Sequence, residues 1–239
     1  MRSILLEVCV DNLDGLAAAL AGGADRLELC AALELGGLTP STELIELAAV
    51  SPLPTVARIR PRAGDFCWSP VEVQMMLNEI DAVAAAGVQG VSLGASLRSG
   101  QLDHVTLERL VRRARDHKLT CTLHRAIDIT PDLAQATRIA IELGFGRILS
   151  SGGAPAAAQG INGLLRCFDA ADGRITIMPG AGIDASNIRR LREKLPLTAV
   201  HASCSLPVNE GVAVSAGAYA VVRRQTSTGK VAALRRALG

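Results

Sequence analysis

Apolar and polar positions alternate between two rhythms along the chain. Eight short runs carry apolar residues continuously or every second residue and read as strands: 4–10, 26–30, 55–61, 90–94, 119–125, 147–150, 174–178 and 198–201. Between them the apolar residues fall at helical spacing. Leu13, Leu16, Ala17 and Leu20 mark one helical face; Val73, Met76, Leu77, Ile80 and Val83 mark another. The same spacing recurs at Leu107–Leu110–Val111–Ala114, at Leu133–Ala136–Ala140–Leu143, at Ile188–Leu191–Leu195 and at Val231–Leu234–Leu238. Ser41 and Asp103 read as N-caps, and a further helix is predicted around 156–170. Strand and helix alternate eight times with no break in composition. That implies a parallel sheet, and eight units in 239 residues fit one closed (β/α)8 barrel domain over 1–239. An open doubly wound sheet is the alternative, but Asp11-Asn12 stands where its glycine-rich turn belongs. Residues 206–228, rich in Ser, Gly and Thr, read as an irregular loop before the last helix.

One phrase is doubled within this frame. Leu6-Glu7-Val8-Cys9 returns as Leu27-Glu28-Leu29-Cys30, on two neighbouring predicted strands. Side chains alternate faces along a strand, so Glu7 shares a face with Cys9, and Glu28 with Cys30. A carboxylate in a parallel sheet is costly unless paired, so two at the same offset point to a purpose. A thiol alone is as readily a small apolar filler.

Composition narrows the classes. Hydrophobic residues make up 49% and charged residues 20%, a globular balance. The net charge of +2 comes without a basic stripe, and only 2% of residues are aromatic, which excludes nucleic acid as the expected partner. No run of 18 apolar residues exists, and Glu7 and Asp11 interrupt the N-terminal Ile4-Leu5-Leu6, so neither membrane insertion nor export is expected. Six singly spaced cysteines form neither a disulfide framework nor a CxxC pattern and suit a reducing cytoplasm.

In a (β/α)8 barrel the site lies where the strands end. That collects Glu7, Cys9, Glu28, Cys30, Arg58, Arg60, Arg62, His124, Arg125, Asp128, Met178, His201 and Ser203 around one mouth. Glu7, Glu28, His124, Asp128 and His201 are candidate acid–base residues, histidine being the side chain tuned most readily near pH 7. Arg58, Arg60 and Arg62 alternate on one strand. One of the first two is expected to pair with Glu28, leaving a guanidinium, Arg60 or Arg62, to clamp an anion. Gly152-Gly153 and Gly180-Ala181-Gly182 follow the sixth and seventh strands. Their backbone amides, with a helix N-terminus behind, are candidate anion binders, or the glycines simply make tight turns.

Seven segments together resemble the CutC family: Leu6–Asp11, 22–30, 36–41, 59–66, 124–128, 147–153 and 177–183. The resemblance runs in order from residue 4 to about 205. It implies a cytoplasmic barrel, a homo-oligomer (dimer or tetramer) and a link to copper homeostasis. The family's Cu(I) ligands match Cys9 and Cys30, and no organic cofactor is implied. Ala63 and Ala181 stand where the family usually has glycine, and Ile127 where it has Phe. Thiolates are the soft ligands that select Cu(I), and in-register neighbouring strands lie about 4.8 Å apart, close enough for two thiols to share an ion. The carboxylates, arginines and histidines exceed what a two-thiol site needs. They favour a small anionic ligand, phosphorylated metabolites included, as the alternative to copper.

Overall fold

The computed structural model describes residues 4–208 and 223–239. Eight strands and eight helices alternate. They are β1 (Leu5–Val10), α1 (Leu13–Gly22), β2 (Arg26–Leu29), α2 (Thr42–Ala49), β3 (Thr55–Arg58), α3 (Pro70–Ala85), β4 (Gly90–Leu93) and α4 (His104–Asp116). The second half is β5 (Thr120–Leu123), α5 (Leu133–Leu143), β6 (Arg147–Ser150), α6 (Ile161–Ala171), β7 (Thr176–Pro179), α7 (Ile188–Lys194), β8 (Ala199–Ala202) and, after a short ribbon, α8 (Thr228–Leu238). The strands are parallel and follow chain order, with β1 pairing both β2 and β8. β7 stands beside β8 at the seam, so the sheet is a nearly closed (β/α)8 barrel. No helix among the described residues is long and apolar enough to cross a membrane.

The helices start where side chains can satisfy free backbone amides. Asn12, Ser41, Asp103, Asp132 and Ser227 each accept from an amide of the first turn. Ser69 and Glu72 form a reciprocal capping box, with Pro70 opening α3.

Alternation along the strands separates two interiors. Leu6, Val8, Val10, Leu27, Leu29, Ala57, Val91, Leu93, Leu123, Ile148, Ile177 and Val200 pack outward against the helices in one continuous apolar jacket. The other parity faces the barrel axis and is largely polar. Glu7, Arg26, Glu28, Arg58, Ser92, Thr122 and His201 are all buried there, Leu5, Leu149, Met178 and Ala199 form a small apolar plug, and Val56 is buried on the same parity. The jacket carries the hydrophobic stabilisation, at about 25 cal/mol per Å2 of apolar surface buried. The axis is therefore free to hold charge.

Two helix starts fall later than the sequence suggests. The helix expected around 156–170 begins at Ile161, and α7 begins at Ile188 rather than at Gly180-Ala181-Gly182. Gly152 lets the loop after β6 press onto α6. A methyl on Gly163 would lie 2.0 Å from the Gly152 carbonyl oxygen, and one on Gly160 1.8 Å from that of Ser151. The segment 206–228 is only partly irregular: β9 (Ser205–Pro207) pairs antiparallel with β10 (Arg224–Thr226). Its central part, 209–222, lies outside the described residues.

Gly163→Ala is expected to lower stability by about 1–3 kcal/mol, since the intruding methyl meets backbone. Gly229→Ala, whose methyl would find nothing nearer than Ser227 Oγ at 3.8 Å, should be neutral or stabilising by up to about 1 kcal/mol. Urea unfolding midpoints of the two variants check this; equal midpoints would show that the loop does not press on α6.

Candidate functional site

The barrel's stagger, rather than the repetition of the phrase, sets which groups meet. Glu7 lies opposite Arg26, and Cys9 opposite Glu28, so the two copies of the phrase are offset by two residues. Like groups are thereby kept apart. Arg26 Nε donates to Glu7 Oε2, and Arg26 Nη2 reaches Met178 Sδ at 3.3 Å. Glu7 Oε1 lies 2.8 Å from His201 Nδ1, brought alongside by the β1–β8 pairing. His201 Nε2 faces Glu28 Oε2 at 3.7 Å, and Arg58 Nη2 donates to both oxygens of Glu28 at 2.8 and 2.9 Å. The result is a buried row of alternating charge across β2, β1, β8, β2 and β3: Arg26, Glu7, His201, Glu28, Arg58.

The row sets its own protonation. Burial alone would raise Glu7, but the His201 hydrogen bond and the Arg26 charge outweigh it and hold the carboxyl at about 2. Burial opposes a charge on His201, yet Cys9, Glu7 and Glu28 around it raise the imidazole well above the usual histidine range. His124 is the opposite case. Burial, then the charges of Arg58 and Arg60, push it well below that range, so it stays neutral. Its Nδ1 accepts from the Ala126 amide at 3.1 Å, its ring leans on Phe66 with centroids 4.9 Å apart, and it does not line the cavity.

Above the row opens a cavity of about 500 Å3, a size suited to a small metabolite. Cys9, Glu28, Arg58, Arg60 and His201 line its floor and wall; Arg125, Asp128, Gly182, Ser203, Ser205 and Arg224 line its rim. Of the arginine run, Arg58 is the partner of Glu28. Arg60 donates only to carbonyl oxygens, those of Leu35 (2.9 Å), Gly37 (3.2 Å) and Gly64 (3.0 Å), and stands over the Phe66 ring. Among the described residues no carboxylate pairs with it, although it is only 5% exposed. Burial and the neighbouring Arg58 and Arg62 lower its pKa. Arg62 is elsewhere: β3 ends at Arg58 and the chain turns after Pro61. Arg62 therefore pairs with Glu72 and Asp65, stacks on Trp68 and does not line the cavity.

Asp128 fills the glycine loop expected to bind an anion. Its carboxylate accepts from Ser150 Oγ (2.6 Å), the Ser151 amide (3.0 Å), the Gly153 amide (3.2 Å) and Arg125 Nε (2.8 Å). Gly180 has a packing role: a methyl there would lie 2.5 Å from Leu149 and 3.3 Å from His201 Cβ. Gly182 adopts a left-handed conformation (φ 69°) on the rim.

The two thiols differ. Cys9 lines the cavity, and its Sγ, a His201 nitrogen and a Glu28 oxygen lie within 4.8 Å of one another. Cys30 is fully buried, points its thiol at the Val10 carbonyl (3.5 Å) and does not line the cavity. Burial, with Cys9 and Glu28 nearby, pushes it well above the usual thiol range.

Residues 4–206 match the model of the CutC family. A CutC family protein of Rhizobium meliloti (strain 1021) is 50% identical over 237 residues, covering 98% of this chain and 96% of that one. The chain belongs to the CutC family. A solved CutC of Streptococcus agalactiae, which carries copper homeostasis in its name, superposes with a TM-score of 0.79 at 27% identity. It covers 84% of this chain and 98% of that one. Thiamine phosphate pyrophosphorylase of Pyrococcus furiosus shares the barrel at 15% identity and a TM-score of 0.61 over 98% of this chain and 95% of its own, which speaks for the fold alone.

The family match spans every residue of the charged row but stops before Arg224, which reaches the rim from β10. Arg26 escaped the sequence reading, though its alternation with Glu28 and Cys30 placed it on their face. Gly36 and Gly37 lie in the loop after β2, which the sequence marks only through the family resemblance. Both adopt left-handed φ (85° and 82°) and close over the arginines, a methyl on Gly37 lying 3.1 Å from Arg58 Nε. Ala181, in the family's glycine position, holds a φ of 75° that strains an alanine.

Glu7 contributes stability above its unfolded value near 4.5, and this is lost as pH falls toward about 2. His201 contributes below about 6.5 and loses its share as pH rises through its raised value. Glu7→Gln strands Arg26 and His201 and should cost about 3–5 kcal/mol near neutral pH. The gap to the parent should narrow between pH 4.5 and pH 2, where the parent's own Glu7 becomes neutral. Chemical denaturation across that range measures it, and a gap independent of pH would contradict the ion-pair row.

Proposed function

We propose that this CutC family member binds a small anionic metabolite in the barrel mouth, with Arg60 as its clamp. The observation that carries the reading is the Arg60 guanidinium on the cavity wall, which no carboxylate among the described residues compensates. A buried cation without a carboxylate is costly, and a bound carboxylate or phosphate relieves that cost with the bidentate geometry guanidinium favours. Arg125 and Arg224 on the rim add positive field. The floor supplies the chemistry. Glu7 and Glu28 are both engaged by arginines, so neither is a free base, whereas His201 turns Nε2 toward the cavity as a proton donor to the ligand. His124, neutral and off the cavity, has a packing role. A cytoplasmic location and a homo-oligomeric state belong to the same proposal, the first supported by six free thiols.

Cu(I) binding at Cys9 and Cys30 is the second reading. The family resemblance, the name of the Streptococcus agalactiae relative and the Cys9 thiol on the cavity wall support it. It requires the Cys30 thiol to leave the Val10 carbonyl and turn toward Cys9.

Phosphate or sulfate at millimolar levels should raise the melting temperature more than chloride at matched ionic strength, the chloride arm subtracting general salt effects. Mass action sets the gain at about 2.7 kcal/mol for a hundredfold excess over the dissociation constant. Arg60→Ala loses its loop carbonyl contacts and starts from a lower baseline. The anion-specific increment should vanish within that variant, and an increment that survives it would remove Arg60 as the clamp.

A further inference from the structure

We propose that Cys9, His201 and Glu28 bind a borderline divalent cation, Zn2+ by their donor set, at the floor of the cavity. The site differs from a Cys9–Cys30 pair in two of its three ligands and in the ion it selects. It also does not depend on Arg60 or on a bound anion.

Three adjacent strands deliver the donors. Cys9 comes from β1 and Glu28 from β2, directly opposite each other in the ladder, and His201 from β8 on the other side of β1. Ligands on paired strands are held more tightly than ligands on loops. One donor atom from each lies within 4.8 Å of the others, and all three residues are buried. Donors bound tetrahedrally at 2.0–2.3 Å lie about 3.3–3.8 Å apart. The His201 Nε2–Glu28 Oε2 separation of 3.7 Å already falls in that range. Cys9 Sγ lies within 4.8 Å of both, so a closure of about 1 Å brings it into that range.

The surrounding groups are arranged as a metal site requires. Glu7 takes His201 Nδ1 at 2.8 Å, which leaves Nε2 as the nitrogen facing Cys9 and Glu28. A carboxylate on the far nitrogen is the usual support of a metal-bound histidine. Arg26 holds Glu7 in turn, and Arg58 holds Glu28 through a single nitrogen, leaving lone pairs on both Glu28 oxygens.

The donor set decides the ion. A linear Cu(I) site wants two soft sulfurs, and Cys30 is turned to the Val10 carbonyl. One thiolate, one imidazole and one carboxylate form a mixed set suited to Zn2+. Three protein ligands leave a fourth position, which opens into the cavity, as in catalytic rather than structural zinc sites. Ion binding displaces the Cys9 thiol proton and the His201 Nε2 proton to solvent, takes that nitrogen out of proton chemistry and sets a Lewis acid against whatever occupies the mouth.

The test uses the full-length chain stripped with chelator and titrated with Co2+, a visible stand-in for Zn2+. One equivalent should give tetrahedral d–d bands and a sulfur-to-cobalt charge-transfer band, both erased by added Zn2+. Cys9→Ser should abolish the charge-transfer band. Glu7→Gln should keep the band and weaken affinity about 10–100-fold, as expected of a supporting group. Cys30→Ser and Arg60→Ala should change neither, which separates this site from both the copper pair and the anion clamp. Zn2+ should also protect Cys9 from alkylation in the unsubstituted chain, a readout that needs no variant to fold. Absence of both bands, a charge-transfer band that survives Cys9→Ser, or loss in Cys30→Ser equal to that in Cys9→Ser would each overturn the proposal.

Discussion

The contact between Glu7 and its two cations, Arg26 and His201, is what the barrel interior depends on. Buried carboxylates are tolerable only when fully paired. Glu7 meets that condition through one partner from β2 and one from β8, so it ties both neighbours of β1 to the barrel axis. Glu28 repeats the device one step higher, between His201 and Arg58. The apolar jacket outside the strands makes this affordable, because hydrophobic burial between sheet and helices leaves the interior free of packing duty. Specificity of strand register is the natural return on such a row. A slip of one residue would turn every charge into the apolar jacket.

Charge at the mouth is asymmetric as a result. Two carboxylates in the floor are matched by Arg26, Arg58 and His201, and Arg60 then adds a cation that meets only neutral carbonyls and a ring among the described residues. Asp128 sharpens the contrast on the opposite side. Its carboxylate occupies the amides of the glycine loop, so that loop presents no free donors to a phosphate. For the anion proposed in the mouth, that leaves side-chain cations in place of the cradle that loop would otherwise offer.

The eight strand–helix units were legible in the sequence because periodicity switches cleanly between two and 3.6, and the barrel followed from their number. The ends of strands were legible as a ring of charge. What that ring does was less so, for physical reasons. Arg62 alternates with Arg58 and Arg60 in the sequence, but alternation holds only while the chain stays extended, and Pro61 marks where it turns. The doubled phrase suggested like opposite like, yet the barrel's stagger set Glu7 against Arg26 and Cys9 against Glu28. Gly152 and Gly180 signalled a close approach of backbone correctly. The approaching groups are α6, Leu149 and His201, which nothing local to either glycine names.

The charged row also has an order of assembly. Glu7 and Arg26 are 19 residues apart and Glu28 and Arg58 30, so both pairs form from chain that emerges early in synthesis. His201 lies 194 residues beyond Glu7. Until β8 arrives, β1 is an unpaired edge, and Glu7 and Glu28 lack the imidazolium that joins them. Closing the barrel and completing the row are thus one event, reached only when β8 has left the ribosome. A nascent or truncated chain that stops short of residue 201 carries both an open sheet edge and an interrupted row of buried charge, so its two defects are repaired together or not at all.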